Sequence, residues 1–392
     1  MTGALRQSGK DDAPVLRVAQ VIGNLQWGGT QELLVYLAEC QARAGLALRV
    51  YVLSPPCATP YADRLRQAGA EVRFVPKGRG GAAGQVLRLA RALRRGGIQL
   101  AHAHLRLANT LTPPAGALAG VPVLGGLHLP HPGGGYHARA ESLALRGLAR
   151  GAIACADSVA SDNRPRLGAL PIAVVPNPAP PPPDLSAVLA RRAEGRTAEV
   201  PARFLVVGRL SPEKGVGTVI EAARLLAGQG AAFRLSIVGD GAARGALEAR
   251  AAGLEGHVSF LGARDDVPEL LARHDIYLSA SRAEGLSIAL LEAMSHALPA
   301  IATPAGSAFS VLDDTTGRRV PPGDAAALAA AMAELAADAV LRQRLGLAAR
   351  ARVLRAHRVE DWSAALARHY RRVVAGDFRP GGAPRGSPYP NH

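Results

Sequence analysis

Cysteine, aromatic residues and lysine are all scarce in this chain of 392 residues. The three cysteines, Cys40, Cys57 and Cys155, are odd in number and lack zinc-finger spacing, so neither a disulfide framework nor a cysteine metal site is predicted. No uncharged run is long enough to span a membrane, because glycine and proline interrupt the best candidate, residues 115–130. The first residues are charged where a secretory signal would be apolar. We therefore expect a cytoplasmic protein.

Lysine is rare because arginine supplies nearly all the positive charge. The chain has three lysines, 43 arginines and a formal net charge of +15. Residues 1–185 hold 20 basic and 10 acidic residues, against 26 and 21 in residues 186–392. This excess in the first half suits an anionic partner such as a membrane surface, a nucleic acid or a phosphorylated ligand. A solvated helix face is the alternative for the arginine-rich run 85–95.

Strand-like and helix-like segments alternate along the chain, first from residue 15 to 175 and again from residue 203. Such alternation predicts parallel sheets with helices on both faces. The proline-rich segment 176–184 is expected to be an extended linker outside any domain core. We predict two Rossmann-like domains, residues 14–180 and 200–357, then a helix over 358–376. Residues 1–13 and 377–392 are expected to be disordered. Ligands of such sheets bind at the carboxyl ends of the strands, which predicts a site in the cleft between domains.

The segment V-V-G-R-L-S-P-E-K-G, residues 206–215, joins a predicted strand to a predicted helix. It contains Arg209 and Lys214, the latter being the only lysine in the second half of the chain. A glycine turn with two cations suits a pyrophosphate, because backbone amides point at the anion and the cations neutralise it. The Walker A order is absent. An ordinary exposed turn is the alternative.

Two glutamates stand in the otherwise apolar stretch R-A-E-G-L-S-I-A-L-L-E-A-M, residues 282–294. Glu284 follows a predicted strand, whereas Glu292 lies within a helix for which Ser287 is a suitable N-cap. The amides near Leu286 and Ser287 form a helix N-terminus, which favours anions. A carboxylate at Glu292 can accept hydrogen bonds from ribose hydroxyls. A salt bridge or a surface position is the alternative for Glu292.

Glycines and histidines stand out in the first half. Gly28 and Gly29 precede a helix and allow a ligand to approach the backbone closely. His102 and His104 alternate on a strand, so their rings should share one face, and His128 ends another strand and is expected to project into the cleft. A zinc site is the alternative, although no carboxylate supports it, and polar lining of the cleft is another. Two further histidines belong to the same group, His131 and His137.

Taken in order, these motifs resemble those of glycosyltransferase family 4, retaining enzymes of the GT-B fold. E-G-L-S-I-A-L-L-E (284–292) resembles the paired-glutamate motif of the family, and G-R-L-S-P-E-K-G (208–215) resembles its phosphate loop. I-V-G-D-G, V-S-F-L-G and G-R-R-V-P-P-G-D follow in the usual spacing, so the resemblance covers about residues 15–374. It implies two Rossmann-like domains facing across a cleft and a C-terminal helix returning to the first domain.

The resemblance also implies a function and a set of site residues. The function is transfer of a hexose-type sugar from a nucleotide-diphosphate donor, with a UDP-sugar expected. No metal and no other cofactor is implied, and the sequence contains no D-x-D motif. The implied catalytic residues are Glu284 and His128. The implied binding residues are Arg209, Lys214, Gly28, Gly29, Leu286 and Ser287 for the diphosphate, Glu292 for the ribose, and Gly262 and Arg264 near the base.

The sequence departs from the family pattern at three positions. Phe309 stands where the family often has a glutamate, P-N-P replaces P-N-G at 176–178, and Cys155 replaces a serine. A nucleotide-sugar epimerase of the same fold is one alternative, and a non-catalytic binder of anionic surfaces is another. The acceptor is unidentified. A lipid-linked or anionic acceptor at the inner membrane face would suit the basic first half, in cell-surface glycan or glycolipid synthesis. A nucleic-acid partner is not expected, because it would leave the glutamates and Lys214 unexplained.

Overall fold

The computed structural model describes residues 14–130, 135–194 and 200–378. The strands of the first half are β1 (Leu16–Ile22), β2 (Leu46–Val52), β3 (Glu71–Phe74), β4 (Leu100–His104), β5 (Val123–Leu127), β6 (Gly151–Ala154) and β7 (Ile172–Val174). The helices between and after them are α1 (Gly29–Cys40), α2 (Tyr61–Gln67), α3 (Gly81–Arg95), α4 (Leu105–Ala119), α5 (Tyr136–Leu148), α6 (Asp157–Leu167) and α7 (Leu185–Ala193).

The second half repeats the alternation. Its strands are β8 (Ala202–Val207), β9 (Phe233–Val238), β10 (Val258–Gly262), β11 (Ile276–Ser279), β12 (Ala300–Ala302) and β13 (Gly317–Arg319). Its helices are α8 (Val216–Gly228), α9 (Arg244–Arg250), α10 (Val267–Arg273), α11 (Ile288–Ser295), α12 (Ala308–Val311), α13 (Ala325–Ala337), α14 (Ala339–Ala356) and α15 (Val359–Val374). A 3-10 turn, Pro212–Lys214, precedes α8.

The two predicted parallel sheets are confirmed. The first sheet has the order β3-β2-β1-β4-β5-β6-β7 and the second the order β10-β9-β8-β11-β12-β13. Every neighbouring pair of strands is parallel. In β1 all residues except Arg17 are buried, because helices cover both faces of a parallel sheet. In each sheet the order reverses beside the first strand, β1 or β8, which places a crevice at the carboxyl ends of the central strands.

The structure of the proline-rich segment agrees only in part with the sequence prediction. Asn177, Pro178 and Ala179 are buried, so the prediction that the segment lies outside any core is wrong there. The Ala179 amide donates to the His357 carbonyl at 2.8 Å, and His357 Nδ1 contacts the Asn177 carbonyl oxygen at 2.8 Å. Asp184 then caps α7, a helix that the sequence analysis did not predict. The backbone groups of an extended segment need partners when they are buried, and the second domain supplies them here.

Helix α15 packs on the first domain. Trp362, Leu366 and Tyr370 are buried in the same apolar core as β1 and α1. Phe378, which belongs to the segment 377–392 predicted to be disordered, is partly buried against that core, so the prediction is wrong at this residue. Residues 1–13 and 379–392 lie outside the described residues, so their predicted disorder stays a prediction, as do the domain boundaries. None of the helices in the described segments has the length and hydropathy needed to cross a bilayer.

Candidate functional site

Lys214 and Glu284 meet at the carboxyl ends of two adjacent strands. Lys214 ends the 3-10 turn after β8, and Glu284 lies in the loop after β11. The Lys214 Nζ donates to Glu284 Oε2 at 2.6 Å, and the Ser281 hydroxyl donates to the same oxygen at 3.0 Å. Both side chains of the ion pair are partly buried. The pair therefore places one cation and one carboxylate at the carboxyl ends of the central strands of the second sheet. Arg209 is exposed in the same turn as Lys214.

The N-termini of α1 and α11 approach each other across the cleft. Gly29 is the first residue of α1, with Gly28 as its N-cap. A Cβ atom added to Gly29 would lie 3.0 Å from Cγ1 of Ile288, the first residue of α11. Ser287 caps α11 by accepting a hydrogen bond from the Leu290 amide, which confirms the predicted cap. Two helix N-termini in one place create a region of positive potential in which an anion is stabilised.

The loop that carries Glu284 also contacts the first domain. A Cβ atom added to Gly285 would lie 2.3 Å from the His128 carbonyl oxygen and 2.8 Å from Cys155 Sγ. The Leu286 carbonyl accepts a hydrogen bond from Asn177 Nδ2 at 2.8 Å. Burial raises the pKa of the Cys155 thiol to about 12, although a hydrogen bond with the Leu286 backbone opposes the shift. The first domain therefore contacts the segment between the two glutamates.

Glu292 has a partner that the sequence analysis missed. Its Oε1 accepts a hydrogen bond from the Tyr36 hydroxyl of α1 at 2.9 Å. Burial raises the pKa of the Glu292 carboxyl to about 7, with a smaller contribution from the negative charge of Glu32. The Tyr36 hydroxyl and the positive charge of Arg64 oppose this shift. Arg64 itself is bound by both carboxylate oxygens of Glu32, at 2.7 and 2.9 Å. The only available signal for Tyr36 was its position four residues after Glu32, on the same helix face.

Three of the five histidines form a cluster, in which His102 and His104 are buried and His128 is partly exposed. The rings of His102 and His104 lie 4.3 Å apart, which confirms that they share one face of β4. His104 Nδ1 lies 3.0 Å from His128 Nε2. Burial lowers the pKa of His102 to about 3 and that of His128 to about 4, and it lowers the pKa of His104 well below its ordinary value. All three rings are therefore neutral at pH 7. His137 is exposed on α5 against Tyr136, and His131 lies outside the described residues.

The histidine cluster does not have the form of a zinc site. Within residues 14–130, 135–194 and 200–378, no group of three or more His, Cys, Asp and Glu side chains is placed to hold a metal ion. Instead, one ring nitrogen of His104 and one ring nitrogen of His128 contact each other.

The residues expected near the base lie on the edge of the second sheet. Gly262 ends β10, and its carbonyl accepts a hydrogen bond from the Gly239 amide at 2.7 Å. Arg264 is bound by both carboxylate oxygens of Asp266, at 2.8 and 2.5 Å. This side chain and the carbonyl of Gly262 are thus engaged within the domain.

Phe309, which stands where the family often has a glutamate, follows a backbone segment that contacts the Glu284 loop. It is 55% exposed on α12, and the Arg319 guanidinium lies 5.9 Å from its ring centroid. A Cβ atom on Gly306, at the start of the same segment, would lie 1.9 Å from the Glu284 carbonyl oxygen. An aromatic surface stacked with a cation therefore stands where the family usually has a second carboxylate.

A separate cavity of about 190 Å³ lies away from these residues. It is lined by residues of α7 and α14, among them Leu189, Ala193 and Leu347. None of the sequence-predicted site residues borders it, so we place the candidate site at the cleft and not here.

Comparison with known protein families matches both halves of the chain. The family described as "Glycosyltransferase Family 4" matches residues 27–181, and the family described as "Glycosyl transferases group 1" matches residues 201–338. The two matches fall on the two sheets and include both sides of the cleft.

Curated relatives match over part of their length. The amylovoran biosynthesis glycosyltransferase AmsK of Erwinia amylovora is 34% identical over 164 residues, which are 39% of this chain and 40% of that protein. The phosphatidyl-myo-inositol mannosyltransferase of Mycobacterium leprae is 36% identical over 167 residues, 41% of this chain and 42% of that protein. The matches thus span about two-fifths of the length of these relatives.

Solved structures share the whole fold. Anabaena HepE in complex with UDP-glucose covers 90% of this chain and 98% of its own, with a TM-score of 0.77 and 21% identity. Sucrose-phosphate synthase of Thermosynechococcus elongatus covers 92% of this chain and 100% of its own, with a TM-score of 0.74 and 20% identity. The fold is therefore the GT-B fold that the sequence motifs predicted.

Proposed function

We propose that this chain, which belongs to glycosyltransferase family 4, is a metal-independent retaining glycosyltransferase that moves a hexose-type sugar from a nucleotide-diphosphate donor. The observation that carries the proposal is the Lys214–Glu284 pair, at 2.6 Å, beside the facing N-termini of α1 and α11. This arrangement offers positive potential to a diphosphate and a carboxylate to the adjoining sugar. A UDP-sugar is the donor we favour, because the similar HepE structure contains UDP-glucose.

Each side chain then has a role in binding the donor. Lys214 exchanges its contact with Glu284 for a diphosphate oxygen, and Arg209 supplies a second cation from the same turn. Glu284 accepts hydrogen bonds from sugar hydroxyls once Lys214 has turned away. Glu292 accepts hydrogen bonds from the ribose in place of the Tyr36 hydroxyl, and the backbone at Gly262 and Arg264 borders the base.

The helix N-termini and the histidine complete the donor site. Gly28 and Gly29 of α1 and the amides near Leu286 and Ser287 of α11 cover the diphosphate. His128 contacts the donor sugar as a neutral ring, because burial keeps its pKa near 4. It acts as a hydrogen-bonding group and not as a charged acid.

The reaction follows from these positions. The bond between the anomeric carbon and the diphosphate oxygen breaks, and a bond from the acceptor hydroxyl forms on the same face of the sugar. The hydroxyl proton passes to the leaving diphosphate, which serves as the base. Lys214, Arg209 and the helix amides stabilise the negative charge that develops there, so the protein contributes positioning and electrostatic stabilisation.

A thermal-shift screen with UDP-, GDP- and ADP-sugars tests donor binding. A bound donor raises the melting temperature by mass action, and we expect the largest shift with a UDP-sugar. Lys214→Ala should remove most of that shift, since a hydrogen bond to a charged group contributes about 1.5–3 kcal/mol. Lys77→Ala, an exposed lysine of the first domain, is the matched control. The proposal fails if no donor shifts the wild type, or if both alanine variants respond equally.

Incubation without an acceptor distinguishes the enzyme classes. An epimerase would convert the nucleotide sugar to its epimer with no acceptor present, whereas a glycosyltransferase would release at most a slow hydrolysis product. A non-catalytic binder of anionic surfaces would give neither product and no donor-dependent thermal shift. Only transfer that requires an acceptor supports the proposed function.

We also propose that the first domain contacts an anionic membrane at the inner face, where a lipid-linked or other anionic acceptor would be presented. Helix α4 packs between α3 and α5. These three helices carry seven arginines, Arg88, Arg91, Arg94, Arg95, Arg106, Arg139 and Arg146, and one acid, Glu141, which is buried.

Exposed apolar side chains on the same helices favour a membrane over a nucleic acid. Tyr136 is 82% exposed and Leu143 is 70% exposed, and further exposed leucines are Leu87, Leu107, Leu118 and Leu148. Arginine attracts anionic headgroups, while leucine and tyrosine enter the interface.

Vesicle sedimentation tests the membrane contact. Three exposed arginines, Arg91, Arg95 and Arg139, are replaced together by glutamine; the control replaces Arg234, Arg344 and Arg355 of the second domain. At about 1 kcal/mol for each basic residue, the first triple variant should bind phosphatidylglycerol vesicles about 100-fold more weakly. Equal binding by both triple variants, or equal binding to phosphatidylcholine vesicles, would contradict the proposal.

A further inference from the structure

A continuous chain of hydrogen bonds links His128 to helix α15 through the core of the first domain. His128 Nε2 lies 3.0 Å from His104 Nδ1, and His104 Nε2 lies 2.7 Å from Gln20 Oε1. The Gln20 Nε2 then donates to the Tyr370 hydroxyl at 3.2 Å, and that hydroxyl lies 2.8 Å from His102 Nδ1. Gln20 is fully buried in β1, and Tyr370 is fully buried in α15.

The chemistry of these groups determines where each proton lies. An amide oxygen can only accept, so His104 must carry its proton on Nε2 and present a lone pair on Nδ1. His128 must then donate from Nε2 to His104. Its own Nδ1 therefore carries a lone pair, which is the remaining hydrogen-bonding position of the ring.

The other arm of the chain is ordered in the same way. The Gln20 amide group donates to the Tyr370 oxygen, which leaves the Tyr370 hydroxyl proton available for His102 Nδ1; in that arrangement the His102 proton lies on Nε2. The chain ends there, because His102 Nε2 has no hydrogen-bond partner among the described residues. If the Gln20 amide were reversed, every proton in the chain would move to the opposite atom. One buried side chain thus controls the tautomers of His104 and His128.

We propose that Gln20 and Tyr370 are positioning residues that hold His128 in the Nε2–H tautomer, so that its Nδ1 accepts a hydrogen bond from a hydroxyl of the ligand in the cleft. His128 is partly exposed, and its backbone contacts the Glu284 loop at Gly285. The identity of that ligand as a donor sugar rests on the proposed function, whereas the tautomer does not.

Long-range ¹⁵N–¹H correlation spectra of the ¹⁵N-histidine-labelled full chain test the tautomers directly. Signals are assigned with single His→Gln variants. We expect both His104 and His128 to carry the proton on Nε2. In Tyr370→Phe the Gln20 amide loses the group that orients it, so the Nδ1–H form of His128 should become populated. The matched control is Tyr51→Phe, since Tyr51 is equally buried and its hydroxyl donates to the Ala92 carbonyl instead.

Kinetics supply a second readout that is independent of the spectra. If the cleft binds a sugar donor, Tyr370→Phe should raise the donor KM about 2- to 10-fold, the effect of one neutral hydrogen bond, and Tyr51→Phe should not. Gln20→Leu is a second variant should the first lose its fold.

Two results would overturn the inference: a proton on His128 Nδ1 in the wild type, or identical tautomers in the wild type, Tyr370→Phe and Gln20→Leu. The expected tautomers in a protein that binds no nucleotide sugar would instead contradict the proposed function and leave the positioning role intact.

Discussion

Replacing Glu292 by glutamine should stabilise the folded protein at pH 8 more than at pH 5. Burial, and secondarily the negative charge of Glu32, raises the pKa of the Glu292 carboxyl from 4.5 to about 7. At pH 8 the wild type therefore holds a partly buried charge that the protein disfavours. Glutamine is neutral at every pH, and its side-chain oxygen can still accept the hydrogen bond from Tyr36.

The sign and size follow from proton linkage. Between about pH 4.5 and 7 the folded state binds the Glu292 proton more tightly than the unfolded state, so stability falls as the pH rises through this window and stays lower above it. The difference between the pKa values of the Glu292 carboxyl in the unfolded and folded states corresponds to about 3 kcal/mol of unfolding free energy at pH 8. Solvent access to the partly exposed carboxylate reduces this free energy. We therefore expect Glu292→Gln to raise the free energy of unfolding by about 1–3 kcal/mol at pH 8 and by less than about 1 kcal/mol at pH 5.

Urea unfolding of the wild type and Glu292→Gln at pH 5 and pH 8 measures the difference. The control is Glu248→Gln, because Glu248 is an exposed glutamate of α9, where we expect little change at either pH. The reasoning is refuted if the Glu292→Gln effect does not depend on pH, or if the wild type is the more stable protein at pH 8. A stabilised variant that also loses nucleotide affinity would identify the buried charge as a cost accepted for function.

Three further predictions concern neighbouring contacts. Tyr36→Phe removes the hydroxyl that favours the ionised form of Glu292, so the pKa of the Glu292 carboxyl should rise above about 7 in a ¹³C NMR titration. An unchanged pKa would show that the hydrogen bond is absent in solution. Gly285→Ala places a Cβ 2.3 Å from a carbonyl oxygen of the other domain and should cost about 1–3 kcal/mol in urea unfolding, whereas Gly245→Ala, in open space on α9, should not destabilise. Burial raises the pKa of the Cys155 thiol to about 12, so an aromatic disulfide reagent at pH 8 should modify the exposed Cys57 first, and equal rates would contradict the burial.

The elements and the order of the site loops were predictable because they depend on local spacing. The alternation of strands and helices expected from residue 15 to 175 is found as β1 to β7 with helices between them, since apolar runs bounded by glycine and proline identify buried strands without tertiary information. The same reasoning missed β13 and α12, because three or four residues carry too little periodicity. The proline-rich segment was misjudged because its composition resembles that of a linker, although the two domains enclose part of it.

The chain by itself determined that Lys214 and Glu284 each follow a strand and that Ser287 begins a helix, because each of these features depends on a few adjacent residues. Only the tertiary structure decided the partners. Glu292 meets Tyr36 across 256 positions of sequence, and Tyr370 meets His102 across 268. No local pattern encodes such pairs, because they form only when two independently patterned domains pack and every buried polar group must find a donor or an acceptor.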